Sequence, residues 1–249
     1  MQGEQKEQFV HSVFESIANH YDVMNDVLSF RRHVAWRKFA MKQMNVQPGD
    51  HAIDVCCGTC DWTISLAQAS TDGAVVGLDF SQNMLDVGQV KINQLNLKET
   101  VLLVNGNAMK LPADDHSFEF ATIGFALRNV PDIRQVIREM KRVVKPGGWV
   151  VSLELSKPAS TWFRKLYYFY FQKVLPLLGK WLVKSYEQYR WLPESLIAFP
   201  DYKELGKWFE EEGLENVRVF PLNFGIAALH MGQKPIDIQT EESGGNTNA

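Results

Sequence analysis

Apolar residues recur along this chain with two alternating periods, and the alternation predicts the fold class. Between Phe9 and Met44, Val10, Val13, Phe14 and Ile17 fall at helical spacing, and Val27, Trp36, Phe39, Ala40 and Met44 suggest a second helical stretch. Residues 9–44 therefore read as a helical cap. The period then changes: HAIDVCC is a short β-branched run closed by Gly58, WTISLAQA returns to helical spacing, and a Thr-Asp-Gly turn ends the unit. AVVGLDF, SQNMLDVGQVKINQL and VLLVNGNAM repeat the order strand, helix, strand, with Ser81 as the helix N-cap. FEFATIGFAL predicts a fourth strand. Ile133, Val136, Ile137, Met140, Val143 and Val144 then share one face of a helix that must stop before Pro146-Gly147-Gly148, and WVVSLELS makes a fifth strand. Past an interruption at 157–200, DYKELGKWFEEEG predicts a helix ending at Gly213, and VRVFPL and GIAALHMG supply two closing strands. Strands alternating with helices imply parallel pairing and right-handed crossovers, so the expected class is α/β, a doubly wound, mostly parallel seven-stranded sheet.

Composition narrows the setting. At 249 residues, 45% of them hydrophobic and 22% charged, the chain is long enough for one sizeable core, since single cores stop growing near ~250–300 residues. Residues 1–234 are expected to form one domain and the polar, Gly/Asn-rich stretch 235–249 a disordered tail. The opening MQGEQKEQFVHSVF has neither the basic region nor the apolar run of an export signal, and no stretch reaches the ~18 apolar residues of a spanning helix, so a cytoplasmic protein is expected. A net charge of −3 argues against a nucleic-acid partner. Cys56, Cys57 and Cys60 are too few and too close for a disulfide framework, and beside Asp54 they would make a poor zinc shell. They are expected to be small buried hydrophobes, with no metal site.

The chemistry concentrates in Ile53-Asp54-Val55-Cys56-Cys57-Gly58-Thr59-Cys60-Asp61. A glycine at the first strand-to-helix turn lets backbone approach a ligand at the carboxyl edge of an open sheet. The full G-x-G-x-x-G pattern is missing, which disfavours a pyrophosphate cradle and with it an NAD-dependent reductase. Asp54, near the end of the first strand, instead offers a carboxylate suited to an ammonium, the alternative being a loop-capping role. Asp79 closes the second strand, where an acidic side chain accepts from two ribose hydroxyls. Asn107 and Ala108, after the third, fall where an adenine edge would be read, or form an ordinary turn.

At these positions the chain resembles class I S-adenosylmethionine methyltransferases, and over nearly its whole length to about Pro235 it resembles the UbiE/MenG family of quinone C-methyltransferases. The strings that carry the likeness are Tyr21-Asp22-x-Met24-Asn25-Asp26 with Ser29, His33 and Trp36, then DVCCGT, GLDFSQNML, GNAMKLP, FALRNVPD and VVKPGG. The resemblance implies S-adenosyl-L-methionine as cofactor, contacted by Thr59, Asp79, Asn107 and Ala108, and a lipophilic quinol as substrate. The CCGT string looks closer to the menaquinone-making members, which implies demethylmenaquinol. One departure is Cys60, where many methyltransferases carry glycine.

Carbon methylation of a quinol needs the neighbouring hydroxyl to lose its proton, so a cation or base should assist. Arg128, just beyond the fourth strand, is the candidate to stabilise the phenolate or hold a water that takes the proton, with Asn129 orienting either group; a plain structural guanidinium is the alternative. Tyr21 as a substrate contact and His33 as a base are secondary candidates, and a His before a helix is more often structural. Between Trp162 and Trp191, 11 of 30 residues are aromatic, with six basic side chains against one acidic. Residues 157–200 therefore read as a lid for a greasy substrate that also suits peripheral contact with anionic lipid, against the alternative of a packed helical subdomain. Homodimerisation is left open, as are a ubiquinone precursor, another phenol, amine or sterol as substrate, and a cofactor-binding regulatory protein without turnover.

Overall fold

The computed structural model describes residues 4–158 and 195–236. Three helices open the chain: α1 (Glu4–Ile17), α2 (Tyr21–Ser29) and α3 (Arg32–Met44), with a short 3-10 turn at Ala18–His20. The second cap stretch, expected as one helix, is thus two. Phe30 and Arg31 both take left-handed backbone (φ 49° and 59°), and the Ser29 hydroxyl donates to the Asn25 carbonyl, capping α2 from within.

The alternating part follows the predicted order: β1 (Ala52–Val55), α4 (Asp61–Ser70), β2 (Val75–Asp79), α5 (Gln82–Gln94), β3 (Val101–Asn105), β4 (Phe118–Gly124), α6 (Ile133–Val143) and β5 (Val144–Leu155). After the undescribed stretch come α7 (Tyr202–Glu211), β6 (Glu215–Leu222) and β7 (Ala227–Gln233). The sheet order is β3-β2-β1-β4-β5-β7-β6, parallel except for β7, which runs antiparallel to both neighbours. The cap placed from sequence holds: the Ser81 hydroxyl accepts from the Met84 amide, and the structure adds Asp132 and Asp201 as caps of α6 and α7. β5 starts five residues earlier than WVVSLELS predicts. Val144 already pairs with Phe118, and the pairing resumes at Phe120 with Trp149, so Lys145–Gly148 bulge past Glu119, with Gly147 supplying φ 82°.

The strands' period of two divides the core between the two faces. Ile53, Val55, Ala121, Ile123 and Val150 pack with α6 and α7, through Val136, Ile137, Met140 and Phe209. Ala52, Phe120, Val151 and Leu153 pack with α3, α4 and α5 through Trp36, Leu66 and Ile92. A smaller cluster of Val13, Ile17, Ala18 and Met84 seats α1 on the start of α5. The cap therefore lies over the carboxyl ends of β1 and β2, beside the point between β1 and β4 where strand order reverses, the place where open α/β sheets bind ligands. Most of the segment expected as a lid and nearly all of the expected tail lie outside the described residues. Among the described residues no helix is long and apolar enough to cross a membrane.

Candidate active site

The loop after β1 is held in an unusual backbone course. Cys56, Gly58 and Cys60 all have positive φ (56°, 55° and 67°), and only one of them is glycine. Left-handed backbone costs a non-glycine residue about 1 kcal/mol or more, so surrounding structure must impose it. It does: the Cys57 amide donates to the Leu78 carbonyl, the Cys60 amide to the Cys57 carbonyl, and the Gly58 amide to Asp79 Oδ2 at 2.8 Å. The Cys60 side chain is fully buried against Gly88, whose missing Cβ makes the room. The residue that departs from the usual glycine thus keeps glycine's backbone conformation and fills a space opened by a glycine on α5.

Two buried carboxyls stand at neighbouring strands of this edge. Asp79, 5% exposed, accepts from the Ser81 amide at Oδ1 (2.9 Å) as well as from Gly58. Burial pushes its carboxyl up to about 6 despite these amide donors. Asp54, 2% exposed, accepts from the hydroxyls of Thr63 (2.7 Å) and Thr122 (2.8 Å), and burial again pushes it up to about 6. Both therefore carry their charge at neutral pH against the preference of their surroundings, as expected where a ligand is to complete the site.

Two adjoining cavities open beside them. The larger encloses about 690 Å³, part of it open to solvent; its wall carries Asp79, Asn107, Ala108 and Asn129, with apolar surface from Phe80 and Met84. The smaller, about 520 Å³, is polar and carries His33, Arg37, Asp54, Thr59 and Asp61. Tyr21, Gly58 and Phe125 line both. Nine of the ten residues singled out from sequence thus face one cavity or the other.

Arg128 is the tenth, and among the described residues it lines neither. Its side chain is only 9% exposed, and Nη1 donates at 3.3 Å to Glu154, a residue at the end of β5 that sequence patterning passes over as one polar position in a buried strand. Its Nε is buried and has no hydrogen-bond partner among the described residues. Burial raises Tyr21 above the ordinary phenol value, so it stays protonated. Burial, and then the neighbouring Arg37, lowers His33; its Nδ1 shares a 2.7 Å hydrogen bond with the Ser29 hydroxyl.

Thr59 turns its hydroxyl away from any role as a free donor: it donates to Asp22 Oδ1 (2.6 Å) and accepts from Lys91 Nζ (3.0 Å). Lys91 also meets Asp22 (2.5 Å) and Asp61 (2.9 Å), and Arg37 meets Asp61 (3.0 Å). Although burial favours the neutral acid, Arg37 and Lys91 hold Asp61 below the usual carboxylate range. This network ties α2 and α3 of the cap to the loop and to α5. Asp22 stood in a motif string, but Lys91 and Glu154 had no local signal. Of the three cysteines expected to be buried, only Cys60 is fully so; Cys56 and Cys57 are half-buried, their thiols raised by burial, and Cys57 and Cys60 Sγ lie 3.9 Å apart.

A sequence profile of the ubiE/COQ5 methyltransferase family matches residues 2–234. The demethylmenaquinone methyltransferase of Bacillus mycoides (strain KBAB4) is 58% identical over 231 residues, 92% of this chain and 97% of that one. Its counterpart from Bacillus cereus (strain B4264) is 57% identical over the same shares. Among solved structures, a SAM dependent methyltransferase from Aquifex aeolicus superposes with a TM-score of 0.58 at 18% identity, covering 80% of this chain and 89% of that one. A possible histamine N-methyltransferase from Thermotoga maritima gives 0.62 at 18% identity over 90% and 99%. At these identities the structural likeness bears on the fold alone.

Proposed function

Because the chain belongs to the ubiE/COQ5 methyltransferase family, we propose that it transfers the methyl group of S-adenosylmethionine to a ring carbon of demethylmenaquinol, giving menaquinol in menaquinone biosynthesis. The observation that carries the assignment of the site is the pair of buried carboxyls, Asp54 and Asp79, in the walls of two adjoining cavities at the strand-order reversal. The donor set fits the cofactor. In the larger cavity Asp79 retains lone pairs for ribose hydroxyls, Asn107 and the Ala108 backbone face the position of a base edge, and Phe80 and Met84 give it apolar walls. In the smaller one the negative Asp54 and the positive Arg37 suit the two charges of an amino acid end. Thr59 holds the cap over the loop through Asp22 and Lys91.

When bound, S-adenosylmethionine supplies a methyl group already activated by its sulfonium charge, so the chain's task is alignment and exclusion of water. Tyr21, half-buried and protonated between the cavities, can donate a hydrogen bond to a quinol oxygen. Arg128 is assigned to stabilise, by its charge, the phenolate oxygen that develops as the neighbouring ring carbon becomes nucleophilic, from a turn whose Ala126 and Asn129 wall the larger cavity. Asn129 lines the adjoining wall and orients that oxygen. His33, kept neutral and tied to Ser29, is a weaker base than sequence position alone suggests. The aromatic, basic segment 157–200 is assigned to the isoprenoid end of the substrate and to contact with an anionic lipid surface, on its composition.

The test is incubation of the purified protein with methyl-labelled S-adenosylmethionine and chemically reduced demethylmenaquinone, followed by location of the label. Label on the ring carbon is expected. Label on oxygen, or none under reducing conditions with a well-bound cofactor, would overturn the assignment.

A further inference from the structure

Glu154 is 1% exposed at the end of β5, yet it has three donors. Its Oε1 accepts the backbone amides of Ala126 (2.6 Å) and Leu127 (2.8 Å), and its Oε2 accepts Nη1 of Arg128 (3.3 Å). The chain between β4 and α6 is folded around this one carboxyl. Phe125 enters with left-handed φ (57°), its amide bonded to the Leu153 carbonyl, and the Asn129 amide closes back on the Ala126 carbonyl. Phe125, Ala126 and Asn129 from this turn wall the larger cavity. A buried carboxylate that accepts two turn amides and a guanidinium fixes both the course of this turn and the place of the Arg128 head group.

We propose that Glu154 is a positioning residue of the methyl transfer: it holds the Phe125–Asn129 turn in shape and fixes the Arg128 guanidinium within the turn whose Ala126 and Asn129 wall the larger cavity. This rests on the role given above to Arg128. Glu154 touches neither cavity among the described residues, so its effect on the reaction runs through Arg128. Burial pushes its carboxyl up to about 7, against the lowering influence of Arg128 and the turn amides, so the guanidinium is the partner that keeps it charged near neutrality.

Glu154→Gln separates the two tasks, because its amide oxygen can still accept from Ala126 and Leu127 while its NH2 confronts Arg128. Expected are an S-adenosylhomocysteine Kd within about threefold of wild type and a kcat at least about 30-fold lower, the pattern of an interaction used only in the transition state. Arg128→Gln should show the same split, and the double variant should be no slower than Arg128→Gln alone. Additive losses in the double variant, or a Glu154→Gln turnover within about threefold of wild type while Arg128→Gln is slow, would overturn the proposal and leave the role of Arg128 standing. Wild-type turnover by Arg128→Gln would remove that role instead, and the proposal with it. If Glu154→Gln loses cofactor affinity in step with turnover and with thermal stability, Glu154 is a structural carboxyl and the proposal fails.

Discussion

Asp79→Asn removes a charge from the cofactor cavity with almost no change of shape. In the wild-type site the carboxyl is 5% exposed and each oxygen already holds one backbone amide, from Ser81 and from Gly58. A carboxylate oxygen keeps a second lone pair, so two vicinal ribose hydroxyls can each be accepted. Asparagine retains one acceptor oxygen, so one hydrogen bond to a charged group is lost, worth about 1.5–3 kcal/mol, or roughly 10 to 150-fold in Kd. Burial adds a pH signature. With the carboxyl pushed up to about 6, the wild-type site loses its charge, and with it cofactor affinity, as pH falls through about 6. The variant should lack that share of the dependence and keep the share due to Asp54. Calorimetric titration of S-adenosylhomocysteine into both proteins between about pH 5 and 8 measures the difference between the two curves. A variant Kd within about twofold of wild type, on a superimposable pH curve, would falsify the ribose role of Asp79.

Asp54→Asn should make the cofactor-free protein more stable at about pH 8. A carboxyl raised from 3.8 to about 6 on folding contributes stability that is fully present below the unfolded value and lost as pH rises through about 6, so its charge costs the neutral fold up to about 3 kcal/mol. Urea unfolding should show the variant's advantage shrinking towards about pH 5, and equal destabilisation at both ends would contradict it. Gly88→Ala would set a Cβ 2.3 Å from Cys60 Sγ and should destabilise by about 1–3 kcal/mol. Adding Cys60→Gly, which suits φ 67°, should recover most of the loss, whereas additive penalties would show that this contact is not the source. Lys91→Met should loosen the cap by about 1 kcal/mol, small because the ion pairs are partly solvated. Faster hydrogen exchange in α2 with unchanged exchange in the central strands is expected, and unaltered protection of α2 would refute the latch.

What the amino-acid order determined by itself is what depends on neighbours a few residues away. The periods of two and 3.6, the caps Ser81 and Asp132, the glycine turn after β1 and the acidic end of β2 are local, and they suffice to place Asp79, Gly58 and Asn107 at one edge of a parallel sheet. The family motifs extended that local legibility to Tyr21 and Asp22 in the cap. Tertiary structure decided how charges are shared. Arg128, legible as a free cation beyond β4, is claimed by Glu154 because β4 and β5 lie side by side, and Thr59 is claimed by Asp22 because the cap folds across the loop. The break of the cap at Phe30–Arg31 and the bulge that starts β5 at Val144 were likewise set by packing, which overrode a continuous helical spacing and brought the strand's start five residues forward, while the helix still stopped before Pro146. Periodicity reports which face of an element is buried, but an ion pair between residues 26 positions apart, or a hydrogen bond between residues 37 apart, exists only once strand order and cap docking bring its partners within reach.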